Sequence, residues 1–370
     1  MKYIDEFRDP ALARRLLARI EVRSTRRVRL MEFCGGHTHA ILRYGLRTLL
    51  PPTVELRSGP GCPVCVTANR ELDRAIALSQ IPGLILTTFG DMVRVPGSDR
   101  SLQDARAAGA DVRIVYSTLD ALQIARDNPA RPVVFLGVGF ETTAPTVAAA
   151  VLQAAAEDLR NFSILSFHKL TPPATRAILD SGEVALDGII GPGHVTTIIG
   201  SDAWEFLPTD YRVPVAVAGF EPLDILRAVA DLVDRIEEGH PEVVNCYTRS
   251  VSRQGNRRAL EIMAQVFEVG AAEWRGLGPV PASGLSTRPE FAEFDAARRF
   301  EVHPSPTREP KGCRCGDVLR GAMTPPECPL FGAACTPARP VGPCMVSAEG
   351  ACAAYYQFGR DFSGDGETRT

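Results

Sequence analysis

Cysteine is scarce in most of this sequence. Of its ten cysteines, only Cys34, Cys62, Cys65 and Cys246 come before residue 300. A disulfide-stapled secreted protein spreads its cysteines along the chain, so this distribution argues against that class. The opening stretch, MKYIDEFRDPALARRLL, is charged and contains no apolar segment, so we expect no secretory signal and a reducing, cytoplasmic location.

Two other features that would assign a class are also missing. No apolar run approaches the roughly 18 residues that a membrane-spanning helix needs, so we expect no membrane association. There is no basic excess, because 41 Lys and Arg residues face 44 Asp and Glu residues. The resulting net charge of −3 argues against a nucleic-acid partner. The composition is that of an ordinary globular protein, with 45% hydrophobic and 23% charged residues.

Strand-like runs alternate with amphipathic helical stretches between residues 28 and 240. The runs lie at residues 28–33, 53–58, 83–89, 111–117, 132–138, 162–167, 187–190 and 213–219. This alternation predicts right-handed βαβ units and a mainly parallel sheet. Eight strands could close one barrel, but RDNPARP (126–132) has the composition of a linker. We therefore predict an α/β fold with two successive parallel-sheet lobes, at residues 1–128 and 129–240, and a cysteine-rich C-terminal domain at residues 241–370.

Most of the reactive side chains follow shortly after a predicted strand. Such positions are occupied by Cys34, Cys62, Glu141, His168 and His194. Ligands of parallel α/β sheets bind outside the carboxyl ends of the strands, so these side chains predict a functional cleft between the lobes. His168 and His194 are each equally compatible with proton transfer and with a structural role. Lys169 could hold an anion, and Glu141 could cap the helix that follows it.

Cys62-Pro-Val-Cys65 is a C-x-x-C motif between a strand and a helix. Because a helix N-terminus stabilises a thiolate, the motif favours a redox-active dithiol that cycles to a disulfide. Half of a zinc site and a pair of structural thiols remain as alternatives. A zinc site would need a second pair of ligands nearby, and Cys34 is the only other cysteine in that region.

The segment Cys34-Gly-Gly-His37-Thr-His39 places one thiol and two imidazoles within six residues. Thiolate and imidazole ligands suit iron, copper or zinc, and the paired glycines allow a close approach. The alternative is a free thiol beside a histidine that caps or packs against the next helix.

Six cysteines are concentrated near the C-terminus, at Cys313, Cys315, Cys328, Cys335, Cys344 and Cys352. Long, proline-rich spacers separate most of them, and the paired C-x-x-C knuckles of zinc ribbons are absent. Iron–sulfur clusters accept four thiolates at variable spacing, so a [4Fe–4S] cluster is favoured and zinc comes second. Six candidates for four positions leave the ligands undetermined by spacing alone.

Together these motifs resemble the HypD family of [NiFe]-hydrogenase maturation factors. The matching stretches, in order, are CGGHTH (34–39), GPGCPVC (59–65), TTFGDMVRVPGS (87–98), GVGFETTAP (137–145), FHKLTPP (167–173), GPGHV (191–195), GFEPLDIL (219–226), WRGLG (274–278), KGCRCG (311–316) and GPCMVSAEGACAAYY (342–356). They cover nearly the whole chain. The resemblance implies two α/β domains and a cluster-bearing third domain around a central cleft. It also implies that the Fe(CN)₂(CO) centre of the hydrogenase is assembled there.

The resemblance further implies the roles of individual residues. The cysteine of CGGHTH is the iron-binding thiolate, so that role falls on Cys34, with His37 beside it. The GPGCPVC pair is the redox dithiol, which places it at Cys62 and Cys65. Glu349 would lie close to the cluster and would tune it or carry protons. The family's cluster pattern, C-x14-C-x6-C-x16-C, is matched by Cys313, Cys328, Cys335 and Cys352.

The same resemblance implies a mechanism and a set of partners. Electrons would pass from the [4Fe–4S] cluster through Cys62 and Cys65 to iron at Cys34. The expected partners are the small chaperone HypC, HypE as donor of cyanide made with HypF, and indirectly the hydrogenase large subunit. The chain would then be a redox-active assembly scaffold and not an enzyme that turns over a free substrate. The competing function is an iron–sulfur-dependent thiol–disulfide reductase of a partner protein, which would not need an iron-binding thiolate at Cys34.

Overall fold

The computed structural model describes residues 5–304 and 306–359, which contain two parallel β-sheets and one β-hairpin. The strands of the first sheet are β1 (Val28–Glu32), β2 (Val54–Ser58), β7 (Gly188–Pro192), β8 (Val215–Ala218) and β9 (Val243–Asn245). The strands of the second sheet are β3 (Ile85–Thr88), β4 (Asp111–Ile114), β5 (Val133–Gly137) and β6 (Phe162–Ser166). The first sheet has the order β2-β1-β7-β8-β9 and the second β4-β3-β5-β6, with every pairing parallel.

Helices connect the strands and cover the sheets. The longer ones are α1 (Pro10–Arg23), α2 (Gly35–Arg43), α5 (Asn69–Ser79), α8 (Thr118–Asp127), α9 (Ala144–Ala156), α10 (Thr171–Ser181), α12 (Pro222–Glu238), α13 (Arg257–Val266) and α16 (Ala351–Phe358). The shorter ones are α3 (Leu46–Leu49), α4 (Pro63–Val66), α6 (Gly90–Val93), α7 (Leu102–Ala107), α11 (Gly193–Ile199), α14 (Ala296–Arg299) and α15 (Cys315–Leu319). Single 3₁₀ or π turns lie at Asp5–Phe7, Ser201–Trp204, Leu207–Tyr211, Pro289–Phe294, Pro325–Glu327 and Pro343–Met345.

Local sequence explains the bounds of the longest helix, α12. Pro222 occupies its first turn, where the missing N–H costs nothing. Gly239 ends it in the left-handed conformation, with φ of 64°, which glycine adopts without strain. Between these ends, Leu226 and Val233 bury completely against the first sheet.

The predicted fold class, two parallel-sheet α/β lobes with cysteines gathered near the C-terminus, is confirmed, and all eight predicted strands are present. The lobes are interleaved along the chain, however, and do not divide at residue 128 as predicted. Strands β3 and β4 precede that residue and pair with β5 and β6, which follow it. The supposed linker is a tight loop inside the second lobe, where the Asn161 amide bonds the carbonyl oxygens of Ala125, Asn128 and Arg131 at 2.9–3.0 Å.

The predicted boundary at residue 240 also shifts. Strand β9 pairs with β8 and so belongs to the first lobe. After it comes a hairpin that the sequence did not suggest, formed by β10 (Phe267–Trp274) and β11 (Gly278–Thr287). Prolines at 279 and 281 hide its second strand, because proline is rare within strands.

The topology places two switch points where ligands of such sheets bind. In the first sheet the strand order reverses between β1 and β7, and in the second between β3 and β5. Cys34 follows β1 and His194 follows β7. The sheet topology therefore brings the CGGHTH and GPGH motifs to the same crevice.

Candidate metal and thiol site

Cys34 lies at the start of α2, at the carboxyl end of β1. Its own N–H donates to the Glu32 carboxylate at 3.0 Å, and the N–H of Gly35 donates to the carbonyl of Gly61 at 3.0 Å. Burial, and then the nearby Glu349 carboxylate, raise the pKa of the Cys34 thiol to about 12. The thiol is therefore protonated when nothing is bound, and a bound cation would reverse that preference.

Two glycines beside Cys34 are required by close backbone contacts. A Cβ on Gly61 would stand 2.3 Å from the nitrogen of Cys34, and one on Gly35 would stand 2.2 Å from the carbonyl oxygen of Glu349. Real Cβ atoms do not approach so closely, so no larger residue fits either position without moving the backbone. The glycines bring the dithiol loop and the Glu349 segment against the Cys34 turn.

His37 is fully buried, and its ring is held in one orientation. Its Nε2 lies 3.2 Å from the carbonyl oxygen of Ala218 and 3.0 Å from that of Gly219, so Nε2 carries the proton. Nδ1 has no hydrogen-bond partner among the described residues. Burial lowers the pKa of His37 to about 4, so the ring is neutral. The ring also stacks on Phe220 with the centroids 4.7 Å apart.

His194 reaches the same place from β7. Its ring stacks on Phe220, the same ring that stacks on His37, with the centroids 3.9 Å apart. His39, by contrast, packs edge-on against Phe358 at 5.0 Å and points away into the helix interface with α16. Of the three histidines, His37 and His194 thus flank one aromatic ring at the switch point.

Cys62 and Cys65 form a disulfide across the start of α4. Both are buried, with 3% and 0% of their surface exposed. The N–H of Cys65 donates to the sulfur of Cys62 at 3.2 Å, as expected at a helix N-terminus. The sulfur of Cys65 also lies 3.9 Å from the carbonyl oxygen of Pro343, in the cysteine-rich segment. The pair therefore bridges the Cys34 loop and that segment.

Glu349 lies in the turn before α16, close enough to Cys34 for its carboxylate to act on the thiol. Partial desolvation raises the pKa of its carboxyl group, and the nearby Asp91 carboxylate adds to the rise. The neighbouring Arg94, which follows β3, donates to the carbonyl of Val346 at 3.0 Å. Residues from the first sheet, the second sheet and the C-terminal segment therefore meet around Cys34.

The four cysteines assigned by the resemblance are neighbours in space. Burial is the largest cause that raises the pKa of Cys313, to about 12, and the pKa of Cys335. The nearby sulfurs of Cys328 and Cys352 contribute to the rise for both thiols. The N–H of Val341 donates to the sulfur of Cys335 at 3.3 Å, as protein amides do to cluster thiolates. No three His, Cys, Asp or Glu side chains of residues 5–304 and 306–359 converge on a single-ion site. Four cysteine thiols in one segment are the donor set that a [4Fe–4S] cluster takes.

The other two cysteines of the segment form a pair that sequence reasoning missed. The sulfurs of Cys315 and Cys344 stand 2.7 Å apart, and both residues are buried. The shared hydrogen bond lowers the pKa of Cys315, with a further contribution from the Arg275 guanidinium, and raises that of Cys344. Cys344 also neighbours Cys352. The only sequence signal was that these two cysteines are left over once the cluster pattern is matched.

Other polar residues that follow strands have structural roles. Lys169 is 1% exposed and pairs with the Glu71 carboxylate at 2.8 Å, so it holds no external anion. Glu141 accepts from the N–H of Thr171 at 2.8 Å and thus caps α10 instead of the helix that directly follows it. His168 is buried beside Ser166, and burial lowers its pKa to about 3.

Comparison with known proteins agrees with this arrangement. The family model HypD, described as "Hydrogenase formation hypA family", matches residues 11–359. The chain is 53% identical to the hydrogenase maturation factor HypD of Azotobacter vinelandii, over 97% of each chain. It is 45% identical to that of Escherichia coli K12, over 97% of this chain and 98% of the relative. Within the described residues, no helix is long and apolar enough to cross a membrane. The chain belongs to the HypD family of hydrogenase maturation factors.

Proposed function

We propose that this protein is the scaffold on which the Fe(CN)₂(CO) group of [NiFe]-hydrogenase is assembled, with the iron held by Cys34. The observation that carries the proposal is the contact of the Cys34 turn with both the dithiol loop, through Gly61, and the Glu349 segment. A thiol at a topological switch point, flanked by a redox pair, suits chemistry on a bound metal.

The surroundings of Cys34 suit a metal that arrives as substrate. Cys34 would supply a thiolate, and two carboxyl groups, Glu32 and Glu349, lie close enough to influence its charge. Glu32 is buried and holds the turn through the Cys34 N–H and the Thr38 hydroxyl. The neutral His37, with its free Nδ1, would act as a hydrogen-bond acceptor and not as a second positive charge.

Cys313, Cys328, Cys335 and Cys352 would hold a [4Fe–4S] cluster, which when bound supplies electrons one at a time. A cyano group carried on a donor sulfur becomes a cyanide ligand when the sulfur–carbon bond is cleaved, which consumes two electrons and leaves the donor sulfur as a thiolate. The Cys62 and Cys65 thiols can supply them, because closure to the disulfide releases two electrons and two protons. The contact of Cys65 with Pro343, next to the Cys315–Cys344 pair, supports a thiol path between the cysteine-rich segment and Cys34.

Burial of the dithiol speaks against the competing function. A disulfide reductase must let a partner's thiolate reach its own sulfur, since exchange passes through a mixed disulfide. Cys62 and Cys65 are only 3% and 0% exposed, so a partner disulfide cannot reach them in this conformation. An internal role in electron supply fits the geometry better.

The partners and location belong to the proposal too. We propose that HypC supplies a second cysteine to the iron and that HypE delivers cyanide made with HypF. The hydrogenase large subunit would then receive the finished centre, and the work would take place in the cytoplasm.

The test is an anaerobic infrared spectrum of the chain co-purified with its HypC-type partner, compared with the Cys34→Ala variant. Bands of metal-bound cyanide and carbonyl that disappear in the variant would support the proposal. Cys246→Ala is a matched control, because it removes a buried thiol elsewhere in the first lobe. Equal bands in Cys34→Ala and the control would overturn the assignment of iron to Cys34.

A further inference from the structure

Arginines are concentrated on one face of the first sheet, at β1 and its neighbouring edge strand β2. Arg27, Arg29 and Arg57 share a single carboxylate, that of Glu55. The nitrogen–oxygen distances are 3.0 Å for Arg27 and 3.2 Å for Arg29. One carboxylate cannot neutralise three guanidinium groups, so this face carries an excess of positive charge.

Arg47 of α3 adds a fourth guanidinium beside this group, and it has no ion pair or hydrogen bond among the described residues. Its guanidinium lies over the ring of Tyr355, 5.4 Å from the centroid. Half-burial, and then the charge of Arg57, lower the pKa of Arg47. The acidic groups within reach of its charge are Glu55 and Glu327. A cation this poorly compensated on an accessible face suits an incoming anionic partner.

The arginine face adjoins the cysteine-rich segment. Tyr355, beneath Arg47, comes three residues after Cys352 in the same helix. Glu327, which directly precedes Cys328, interacts electrostatically with the guanidinium groups of Arg57 and Arg47. The arginine face therefore lies next to the segment that carries the candidate cluster cysteines.

We propose that this arginine face, made of Arg27, Arg29, Arg47 and Arg57, docks a small acidic protein that carries one electron at a time. The inference rests on the proposed function, since it supplies the reductant that the dithiol needs. The Cys62–Cys65 disulfide is buried, so an external reductant must deliver electrons through the adjoining cysteine-rich segment. Two encounters oxidise two carriers by one electron each. Two electrons and two protons then convert the disulfide into two thiols.

Charge favours this class of partner over others. The whole chain has a net charge of −3, whereas the face has four guanidinium groups against the carboxylates of Glu55 and Glu327. A protein with acidic side chains around its redox centre would be steered to this face and away from the rest of the surface.

The test measures binding as well as electron transfer. The probe is an acidic [2Fe–2S] ferredoxin. Its redox-inert, gallium-substituted form is used to measure binding by anaerobic calorimetric titration. Its native form is used to measure reduction of the cluster-loaded full chain by stopped-flow spectroscopy. The variant is Arg47→Glu. The matched control is Arg160→Glu, which makes the same charge change on the 70% exposed Arg160 of the second lobe. Dithionite, a small reductant that needs no docking, reports whether the redox centre itself is intact.

We expect Arg47→Glu to weaken binding and to lower the second-order rate constant by about tenfold at low ionic strength. The difference should shrink as salt is added, because screening shortens the range of the charges. Dithionite reduction should be the same in all three proteins. Equal binding by Arg47→Glu and Arg160→Glu, or binding by the wild type that does not depend on salt, would overturn the docking surface. Absence of any dithionite-reducible centre would instead overturn the proposed function, while the titration would still judge the surface.

Discussion

Replacement of Lys169 by methionine should strongly destabilise the fold. The Lys169 ammonium is 1% exposed and lies 2.8 and 2.9 Å from the two oxygens of the Glu71 carboxylate. It also donates to the carbonyl of Glu273 at 2.7 Å, so it ties the end of β6 to α5 and to the hairpin. Lys169→Met takes the ammonium away from the mostly buried Glu71 carboxylate, which keeps a hydrogen bond from the N–H of Ala68. Breaking a buried pair in this way costs about 3–5 kcal/mol in free energy of unfolding.

The loss of stability in Lys169→Met should depend on pH, and the pKa of Glu71 determines whether it grows or shrinks as pH rises. Burial raises the pKa of Glu71 even beside Lys169, and removal of the ammonium takes away the strongest opposing interaction. The pKa of Glu71 in the variant therefore rises further. A carboxyl group whose folded pKa exceeds its unfolded value favours the fold below the unfolded pKa and loses that contribution as pH rises through the folded pKa. The destabilisation should thus be greatest at pH 8 and smaller near pH 5.

Urea unfolding of Lys169→Met at the two pH values, followed by circular dichroism, measures both effects. The double variant Lys169→Met/Glu71→Leu is the control, because replacing both partners of a buried pair by apolar groups is often close to neutral. It should recover most of the lost stability and show no extra pH dependence. If the single and double variants unfold at the same urea concentration, the carboxylate is not the source of the loss.

Three further substitutions separate the site from its scaffold. Gly61→Ala would push a Cβ to 2.3 Å from the Cys34 nitrogen, so it should cost about 1–3 kcal/mol and reduce iron retained after anaerobic gel filtration. Gly270→Ala, whose Cβ would meet nothing nearer than 3.6 Å, should leave the iron content unchanged, and an equal loss in both variants would refute the steric reasoning. Cys246→Ala removes a thiol that donates to Asp231 at 3.3 Å, so it should lower the free energy of unfolding by about 1–2 kcal/mol while the infrared bands persist. Loss of the bands in that variant would assign Cys246 a role at the site.

The strands were predictable because their apolar runs are local features, and each of the eight lies where the sequence placed it. Their order was not. Strand β1 pairs with β7, which lies more than 150 residues further along the chain, and no local pattern encodes that choice. The expectation that neighbouring strands share a sheet is usually sound, and here it led to a false boundary at residue 128. The hairpin escaped notice since its second strand carries two prolines.

The site shows the same division between local and long-range information. Cys34, Cys62 and Cys65 were recognisable from short motifs that sit at strand ends. The contact of Cys315 with Cys344 joins positions 29 residues apart, and only tertiary packing brings their sulfurs to 2.7 Å. The orientation of His37 likewise depends on the carbonyl groups of Ala218 and Gly219, which lie on another strand connection.

The interleaved order of the lobes explains why the thiol groups meet. After β2 the chain leaves the first sheet, and the segment that crosses to the second lobe is the one that carries Cys62 and Cys65. A dithiol on this crossing segment is tied at one side to Cys34, through Gly61, and at the other to the cysteine-rich segment, through Pro343. Had the two lobes followed one another, as the sequence suggested, the crossing would fall near residue 128 and far along the chain from any cysteine. The second lobe is thus inserted directly after the segment that places Cys62 and Cys65 between Cys34 and the cysteine-rich segment.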